Sequence, residues 1–151
     1  ADHCHESAGK VELDVTKYHI PCVIWNPKLV QPQVYKPLVS QIDLAPTILG
    51  LMNWSYTTQF YGEDVLDQGY DKSKRRAWVS NYQKIALLRE NALAILKPKG
   101  EVTLGKVVLG TGEFEADTSG ALQPVLDDAV AFYQSASWLF RNGGMKAADE
   151  K

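Results

Sequence analysis

The sequence has no long hydrophobic run, little net charge and only two cysteines. A membrane-spanning helix needs about 20 consecutive apolar residues, so we predict that this segment is soluble. The formal net charge of −2 lacks the basic excess with which proteins bind phosphate backbones, so we expect no nucleic-acid partner. Cys4 and Cys22 can form a disulfide in an oxidising compartment or remain thiols. The apolar neighbours of Cys22 favour a buried thiol.

The chain also lacks an initiator methionine, and Ala1 directly precedes a motif that looks functional. We therefore expect that the chain is cut from a longer protein. Its composition is ordinary for a globular domain, and 151 residues suffice for a hydrophobic core.

The first residues concentrate side chains that can bind metal, in the order Asp2-His3-Cys4-His5-Glu6. Carboxylate and imidazole groups together suit a hard or borderline ion such as Mn²⁺, Mg²⁺ or Zn²⁺. One short peptide rarely closes a coordination sphere, because protein sites normally take three or more ligands from separated segments. The motif therefore predicts part of a metal site, which residues outside this chain complete.

The next region has the pattern of an α/β protein. The apolar run His19–Trp25 predicts a strand that is buried on both faces, as in a parallel sheet covered by helices. Residues 40–52 predict a helix with Asp43 as its N-cap and Pro46 in its first turn. Three residues at helical spacing form its predicted apolar face: Leu44, Ile48 and Leu51.

After about residue 70 the pattern changes to short apolar runs separated by Asn and Gly turns. Such spacing predicts an antiparallel meander of three or four strands. The runs are Ala77–Tyr82, Ile85–Leu88, Ala92–Leu96 and Val102–Val108. We predict a polar loop over residues 110–120 and a long amphipathic helix over Pro124–Asn142, which Gly143 and Gly144 end.

Several segments together resemble one family: Ala1-Asp2-His3, Tyr18–Pro27, Ser40–Met52 and Phe60–Leu66. They resemble the C-terminal part of lipoteichoic acid synthase-like proteins, in the sulfatase branch of the alkaline phosphatase superfamily. The resemblance covers residues 1–66, and beyond them only the architecture agrees. It implies an α/β fold in which residues 1–69 form the C-terminal part of an alkaline-phosphatase-like core. Residues 70–151 would form a subdomain, a small antiparallel β-sheet packed with a long C-terminal helix.

The resemblance implies that Asp2 and His3 are metal ligands. Neighbouring residues on a strand point to opposite faces, so both reach one ion only where the strand ends and the backbone bends. The expected cofactor is a divalent metal, Mn²⁺ first, with Mg²⁺, Zn²⁺ or Ca²⁺ as alternatives. In the family the metal neutralises phosphate charge and helps to activate a threonine nucleophile. That threonine and the other ligands lie upstream of the Asp-His pair, so no catalytic residue is assigned in this chain. We expect the isolated chain to be inactive, with its metal site unoccupied.

Three further residues are candidate substrate contacts. His5 and Glu6 lie in a stretch similar to the Asp-His-Gly-Glu-Ser of phosphoethanolamine transferases, although an inserted residue breaks the register. Both residues can also be additional metal ligands or the polar start of a loop, and the loop is the favoured interpretation. His19 lies near the position where some relatives place a substrate-binding histidine, and a packed histidine at a strand end is the alternative.

The implied activity is transfer of a phosphoglycerol-type group from a phospholipid, through the threonine nucleophile, to an acceptor. The parent protein would lie in the cytoplasmic membrane with its catalytic domain outside. Hydrolysis of a sulfuric ester or phosphoester is the alternative activity. The expected partners are the remainder of the catalytic domain, a phospholipid or a phospho- or sulfo-ester substrate, and a second copy of the chain at exposed sheet edges.

Two non-catalytic functions also fit the sequence. A free terminus at Ala1-Asp2-His3 can wrap Cu²⁺ or Ni²⁺ in a square plane through the amine, two amides and the imidazole, which would make the chain a metal-binding module. The sheet and helix can instead form a docking subdomain, with four aromatic residues as its contacts: Trp78, Tyr82, Phe132 and Trp138.

Overall fold

The computed structural model describes residues 12–146 of the chain. Within them, a largely irregular region with one α-helix precedes a β-sheet and a long helix. The helices and strands are α1 (Leu44–Leu51), β1 (Ala77–Ser80), β2 (Ile85–Arg89), β3 (Ala92–Leu96), β4 (Val102–Val107), β5 (Phe114–Ala116) and α2 (Gln123–Arg141). Short 3-10 turns lie at Val15–Tyr18, Gln41–Asp43, Lys72–Lys74 and Pro98–Gly100. No helix of the described ranges is both long and apolar enough to cross a membrane.

The sheet is an antiparallel meander of five strands in the order β1-β2-β3-β4-β5. The predicted meander and the long helix after it are confirmed. The polar loop predicted over residues 110–120 is wrong in part, because β5 lies within it and pairs with residues 105–107 of β4. Only Phe114 of this three-residue strand packs against the core, so β5 has too few apolar positions to give a period-2 pattern.

Both faces of the sheet are covered. One face packs against the segment that leads into the first 3-10 turn and against the turn itself, through a cluster that includes Leu13, Val15, Val79, Leu88, Leu93 and Ile95. The opposite face packs against α2, through Leu87 and Ala94 of the sheet and Ala129 of the helix. Burial on both faces explains why β2 and β3 read as continuous apolar runs rather than alternating ones.

The predicted strand over His19–Trp25 is wrong for the described part of the chain. Residues 19–26 have no regular secondary structure, and Val23 and Trp25 are 86% and 83% exposed. The prediction that Cys22 is buried is also wrong, because its thiol is exposed. An apolar run becomes a strand only when a neighbouring strand bonds its backbone groups, and the described residues provide none there.

Helix α1 forms where the sequence predicts it, with Asp43 at the N-cap position and Pro46 in the first turn. Its orientation differs from the prediction. Leu44 and Ile48 are exposed, and the buried helical residues are Pro46 and Thr47. The helix therefore packs through the smaller face that carries Thr47, because that face meets the segment over residues 62–66.

Candidate functional site

The predicted metal ligands Asp2 and His3, and the candidate substrate contacts His5 and Glu6, lie outside the described residues. Their roles stay predictions, and so does the Cu²⁺ or Ni²⁺ site at Ala1-Asp2-His3. His19 is described: it is exposed and directly follows the 3-10 turn Val15–Tyr18. Its role as a substrate contact also stays a prediction.

The described residues contain no complete metal site of their own. Between residues 12 and 146, no three His, Cys, Asp or Glu side chains are grouped so that they can hold a metal ion. The donor chemistry of Asp2 and His3, a carboxylate beside an imidazole, fits a divalent cation.

Glu12 is the first described residue, and its side chain is bonded to the sheet region. Its carboxylate lies 2.8 Å from Lys97 Nζ and 2.9 Å from Lys84 Nζ, and it accepts a hydrogen bond from the Thr103 hydroxyl at 3.2 Å. Burial raises the pKa of Glu12, but the hydrogen bonds from Lys97 and Lys84 outweigh it and lower the pKa to about 2. Glu12 therefore stays ionised and ties the start of the described chain to the end of the sheet at which β2 begins and β3 ends.

A buried ion pair joins the start of α1 to the start of the sheet. The side chains of Asp43 and Arg76 are 1% and 2% exposed, and Asp43 Oδ1 lies 3.2 Å from Arg76 Nη2. The second carboxylate oxygen lies 3.3 Å from Arg76 Nη1, so the contact is bidentate. Paired geometry of this kind is how a buried carboxylate and guanidinium offset their loss of hydration.

Backbone groups complete the bonding of this pair. Asp43 accepts from the amides of Ser40 at 2.9 Å and Glu63 at 3.0 Å, and Arg76 donates to the Tyr61 carbonyl at 2.6 Å. The sequence predicts Asp43 as a helix cap. The residue does occupy that position, but its carboxylate makes no capping bond to α1. It instead holds together three segments of the chain.

Small residues let the segment after the ion pair approach α1 closely. A Cβ at Gly62 would overlap the carbonyl group of Ile42, and one at Gly50 would overlap the carboxylate of Asp64. The Val65 amide donates to the Thr47 hydroxyl at 3.2 Å. The helix and the segment over residues 62–66 therefore form one packed unit around Asp43.

An aromatic cluster attaches this unit to α2. The ring of Phe132 lies 5.7 Å from that of Trp78 and 5.9 Å from that of Tyr61, and the Tyr61 hydroxyl donates to Ser135 Oγ at 3.0 Å. Two of the four predicted docking aromatics, Trp78 and Phe132, thus pack within the described chain. The other two, Tyr82 and Trp138, are 97% and 63% exposed, and their docking role stays a prediction.

The predicted boundary between a core part (residues 1–69) and a subdomain (residues 70–151) also stays a prediction.

Comparison with known proteins first identifies the class of the fold. The chain is similar to the crystal structure of a protein in the alkaline phosphatase superfamily from Vibrio parahaemolyticus, with a TM-score of 0.83 and 22% sequence identity. The match covers 97% of this chain and 35% of that one, so this chain spans about a third of the neighbour's length. The fold is therefore alkaline-phosphatase-like.

The sequence comparison then finds a family model that matches about a third of the chain. The Sulfatase family model matches residues 1–54, the part that contains Asp2 and His3. No curated protein matches the chain. The match over residues 1–54 and the alkaline-phosphatase-like fold both agree with the predicted resemblance.

Proposed function

We propose that this chain is part of a metal-dependent sulfatase-like phosphotransferase, to which it contributes Asp2 and His3 as metal ligands. The observation that carries the proposal is the Sulfatase match over residues 1–54, since it includes an adjacent carboxylate and imidazole. Mn²⁺ is the proposed metal. When bound, a divalent ion offsets the negative charge of a phosphate or sulfate group.

The remainder of a catalytic domain is the proposed partner. Three apolar side chains, those of Val23, Trp25 and Val34, are each more than 80% exposed. All three lie in a segment that contains no helix or strand. Exposed apolar side chains grouped in this way are typical of a surface that another protein segment covers. The structural neighbour, nearly three times as long as the matched region, supports the presence of such a segment.

Within the complete enzyme, the described residues would act by positioning. The Asp43–Arg76 pair fixes α1 against the sheet, and Glu12 fixes the start of the described chain to Lys84 and Lys97. Both contacts are charged and largely satisfied, so they hold the chain in one arrangement. His5, Glu6 and His19 are proposed substrate contacts, and the threonine nucleophile would come from the remainder of the domain.

The proposed reaction moves a phosphoglycerol-type group from a phospholipid to an acceptor alcohol, outside the cytoplasmic membrane. The test is to incubate the enzyme formed by this chain and the remainder of its catalytic domain with phosphatidylglycerol, an acceptor glycan and Mn²⁺. Diacylglycerol and phosphoglycerol-modified glycan are the expected products. Failure to consume the phospholipid would overturn the transferase proposal.

Hydrolysis is the second candidate, favoured by the Sulfatase description of the matching family. In this case the group passes to water, and the same assay would release free glycerol phosphate, or free sulfate from a sulfuric ester. We expect the isolated 151-residue chain to show no turnover on either type of ester. Metal-dependent multiple turnover by that chain would contradict the proposed need for an external nucleophile.

A further inference from the structure

The segment over residues 21–25 has a backbone without hydrogen-bond partners in the described part of the chain. It contains no helix or strand. None of its main-chain N–H or C=O groups is bonded to another residue between 12 and 146, and the nearest backbone bonds belong to Ile20 and Asn26, on either side of it. The groups of these five residues are therefore available to another chain segment.

The side chains of this segment do not suit a solvated loop. The sequence Pro-Cys-Val-Ile-Trp contains no charged residue and no glycine, and β-branched and aromatic residues are enriched in strands. Val23 and Trp25 are 86% and 83% exposed, and Cys22 is exposed too. Alternate residues of a strand point to opposite faces. In a strand, Val23 and Trp25 would form one face and Cys22 and Ile24 the other, so both faces would be apolar.

Apolar side chains on both faces decide which partner fits. A strand of this kind belongs in a sheet that is covered by a layer on each side, as in parallel sheets flanked by helices. A second copy of the chain, paired edge to edge, supplies a neighbouring strand but no covering layers. A longer polypeptide can supply both. The structural neighbour in the alkaline phosphatase superfamily matches this chain with only 35% of its own length, so most of that protein is additional chain.

We propose that residues 21–25 form a strand of the complete catalytic domain, by pairing with a sheet in the remainder of that domain. This inference rests on the proposed function, because it needs the partner named there. Pairing bonds the N–H and C=O groups of the segment, as in other cases where an extended segment is added to a sheet. It also buries Val23 and Trp25, which removes their apolar surface from water. The segment has the composition of a strand and lacks only its neighbour.

Hydrogen–deuterium exchange with mass spectrometry tests the pairing. It compares the enzyme formed by this chain and the remainder of its catalytic domain with the isolated chain at low concentration. We expect the amides of residues 22–25 to exchange at least about tenfold more slowly in the complete enzyme. The β2–β3 hairpin is paired already, so it should exchange alike in both and show that the isolated chain is folded. If it is not folded, a synthetic peptide of residues 18–28 serves as the unprotected reference.

Cys22 reports burial of the same segment. Its thiol is exposed in the described structure. Under reducing conditions, iodoacetamide should therefore modify it at least about tenfold more slowly in the complete enzyme than in the isolated chain or the peptide. Trypsin cuts after Lys10, Lys17 and Lys28. Cys4 and Cys22 therefore fall in different peptides, and mass spectrometry quantifies each thiol separately.

Proline variants distinguish strand pairing from simple apolar contact. Proline removes an N–H group, and neighbouring N–H groups of a strand point to opposite edges. At least one of Val23→Pro and Ile24→Pro should therefore abolish the slow exchange of the segment in the complete enzyme. Val34→Pro is the matched control, because Val34 is 82% exposed and lies outside any helix or strand. It should leave the exchange of residues 22–25 as in the wild type. If the proline variants do not fold, the alkylation rate of wild-type Cys22 decides.

The possible failures are distinguishable. A stable complex in which residues 22–25 exchange as fast as the synthetic peptide would overturn this inference and leave the proposed partner intact. If the chain does not associate with the remainder at all, both are wrong. Protection that rises with the concentration of the isolated chain, up to the level of the complete enzyme, would identify a second copy as the occupant and overturn the inference too.

Discussion

Asp43 and Arg76 are 33 residues apart in sequence, and they form a bidentate ion pair in which both side chains are almost completely buried. The pair is the point at which α1, the segment over residues 61–63 and the first strand of the sheet meet. Removing one partner from a buried pair leaves the other charge without compensation. The attachment of α1 to the sheet therefore depends on both residues.

We expect Asp43→Asn to lower the free energy of unfolding by about 3 kcal/mol, because Arg76 would keep a buried charge without its counter-ion. Urea unfolding followed by circular dichroism measures this change. The exposed variant Asp127→Asn is the control and should stay within about 0.5 kcal/mol of the wild type.

A double-mutant cycle tests whether the two side chains act as a pair. Asp43→Asn combined with Arg76→Met should cost clearly less than the sum of the two single changes, since residues in direct contact are not additive. Strict additivity would show that the ion pair contributes no coupling.

Two glycines offer a matched comparison of close packing. Gly62→Ala should destabilise the chain by more than about 1 kcal/mol, because the new Cβ would overlap the backbone of Ile42, which cannot move without shifting Asp43. At Gly110 a Cβ meets no atom within 4 Å. Gly110→Ala should therefore be neutral or stabilise by about 0.4–1 kcal/mol, through the unfolded state. Thermal unfolding of both variants decides between these outcomes, and equal melting temperatures would refute the packing role of Gly62.

The contribution of Glu12 to stability should depend on pH. Its pKa is about 2 in the folded chain against an ordinary value of 4.5, so the folded state favours the ionised form. The stabilisation is complete above pH 4.5 and is lost as the pH falls toward 2. After solvent screening of this partly exposed group, we expect Glu12→Gln to cost about 1 kcal/mol at pH 7.

Urea unfolding at several pH values measures this dependence. The difference between wild type and Glu12→Gln should shrink as the pH falls from 4.5 toward 2. Glu101 is exposed, and the control Glu101→Gln should show no such trend. A Glu12→Gln difference that stays constant over this range would mean that the lysine contacts do not stabilise the ionised form.

The isolated chain should associate with itself. Val23 and Trp25 are exposed apolar side chains, and β1 and β5 are the edge strands of the sheet, where unpaired backbone groups invite another strand. Sedimentation velocity should show an average mass that rises with protein concentration. Trp25→Ser should reduce the rise, and a wild-type chain that stays monomeric at high concentration would refute this expectation.

Local patterns predicted the fold best where the interactions are local. The turn at Glu90 and Asn91 separates two apolar runs, and these pair as the β2–β3 hairpin. The glycines at positions 143 and 144 predicted that the long helix ends at Asn142, and α2 ends one residue earlier, at Arg141. The run His19–Trp25 failed because a strand requires a neighbour, and no pattern inside the run shows whether one is present.

The buried ion pair could not be predicted for a related reason. Asp43 has the local pattern of a helix cap, and Arg76 lies in a basic stretch that is typical of a solvated loop. Their partnership depends on how α1 and β1 are placed in three dimensions, which the spacing of residues along the chain does not reveal.

The most direct measurement concerns the metal itself. Bound Mn²⁺ should be determined by elemental analysis in the enzyme formed by this chain and the remainder of its catalytic domain, for wild type, Asp2→Ala, His3→Ala and His19→Ala. We predict that the Asp2 and His3 variants lose bound metal and turnover together, whereas His19→Ala keeps its metal. Full metal content and undiminished turnover in both Asp2→Ala and His3→Ala would contradict the assignment of this chain as a contributor to the metal site.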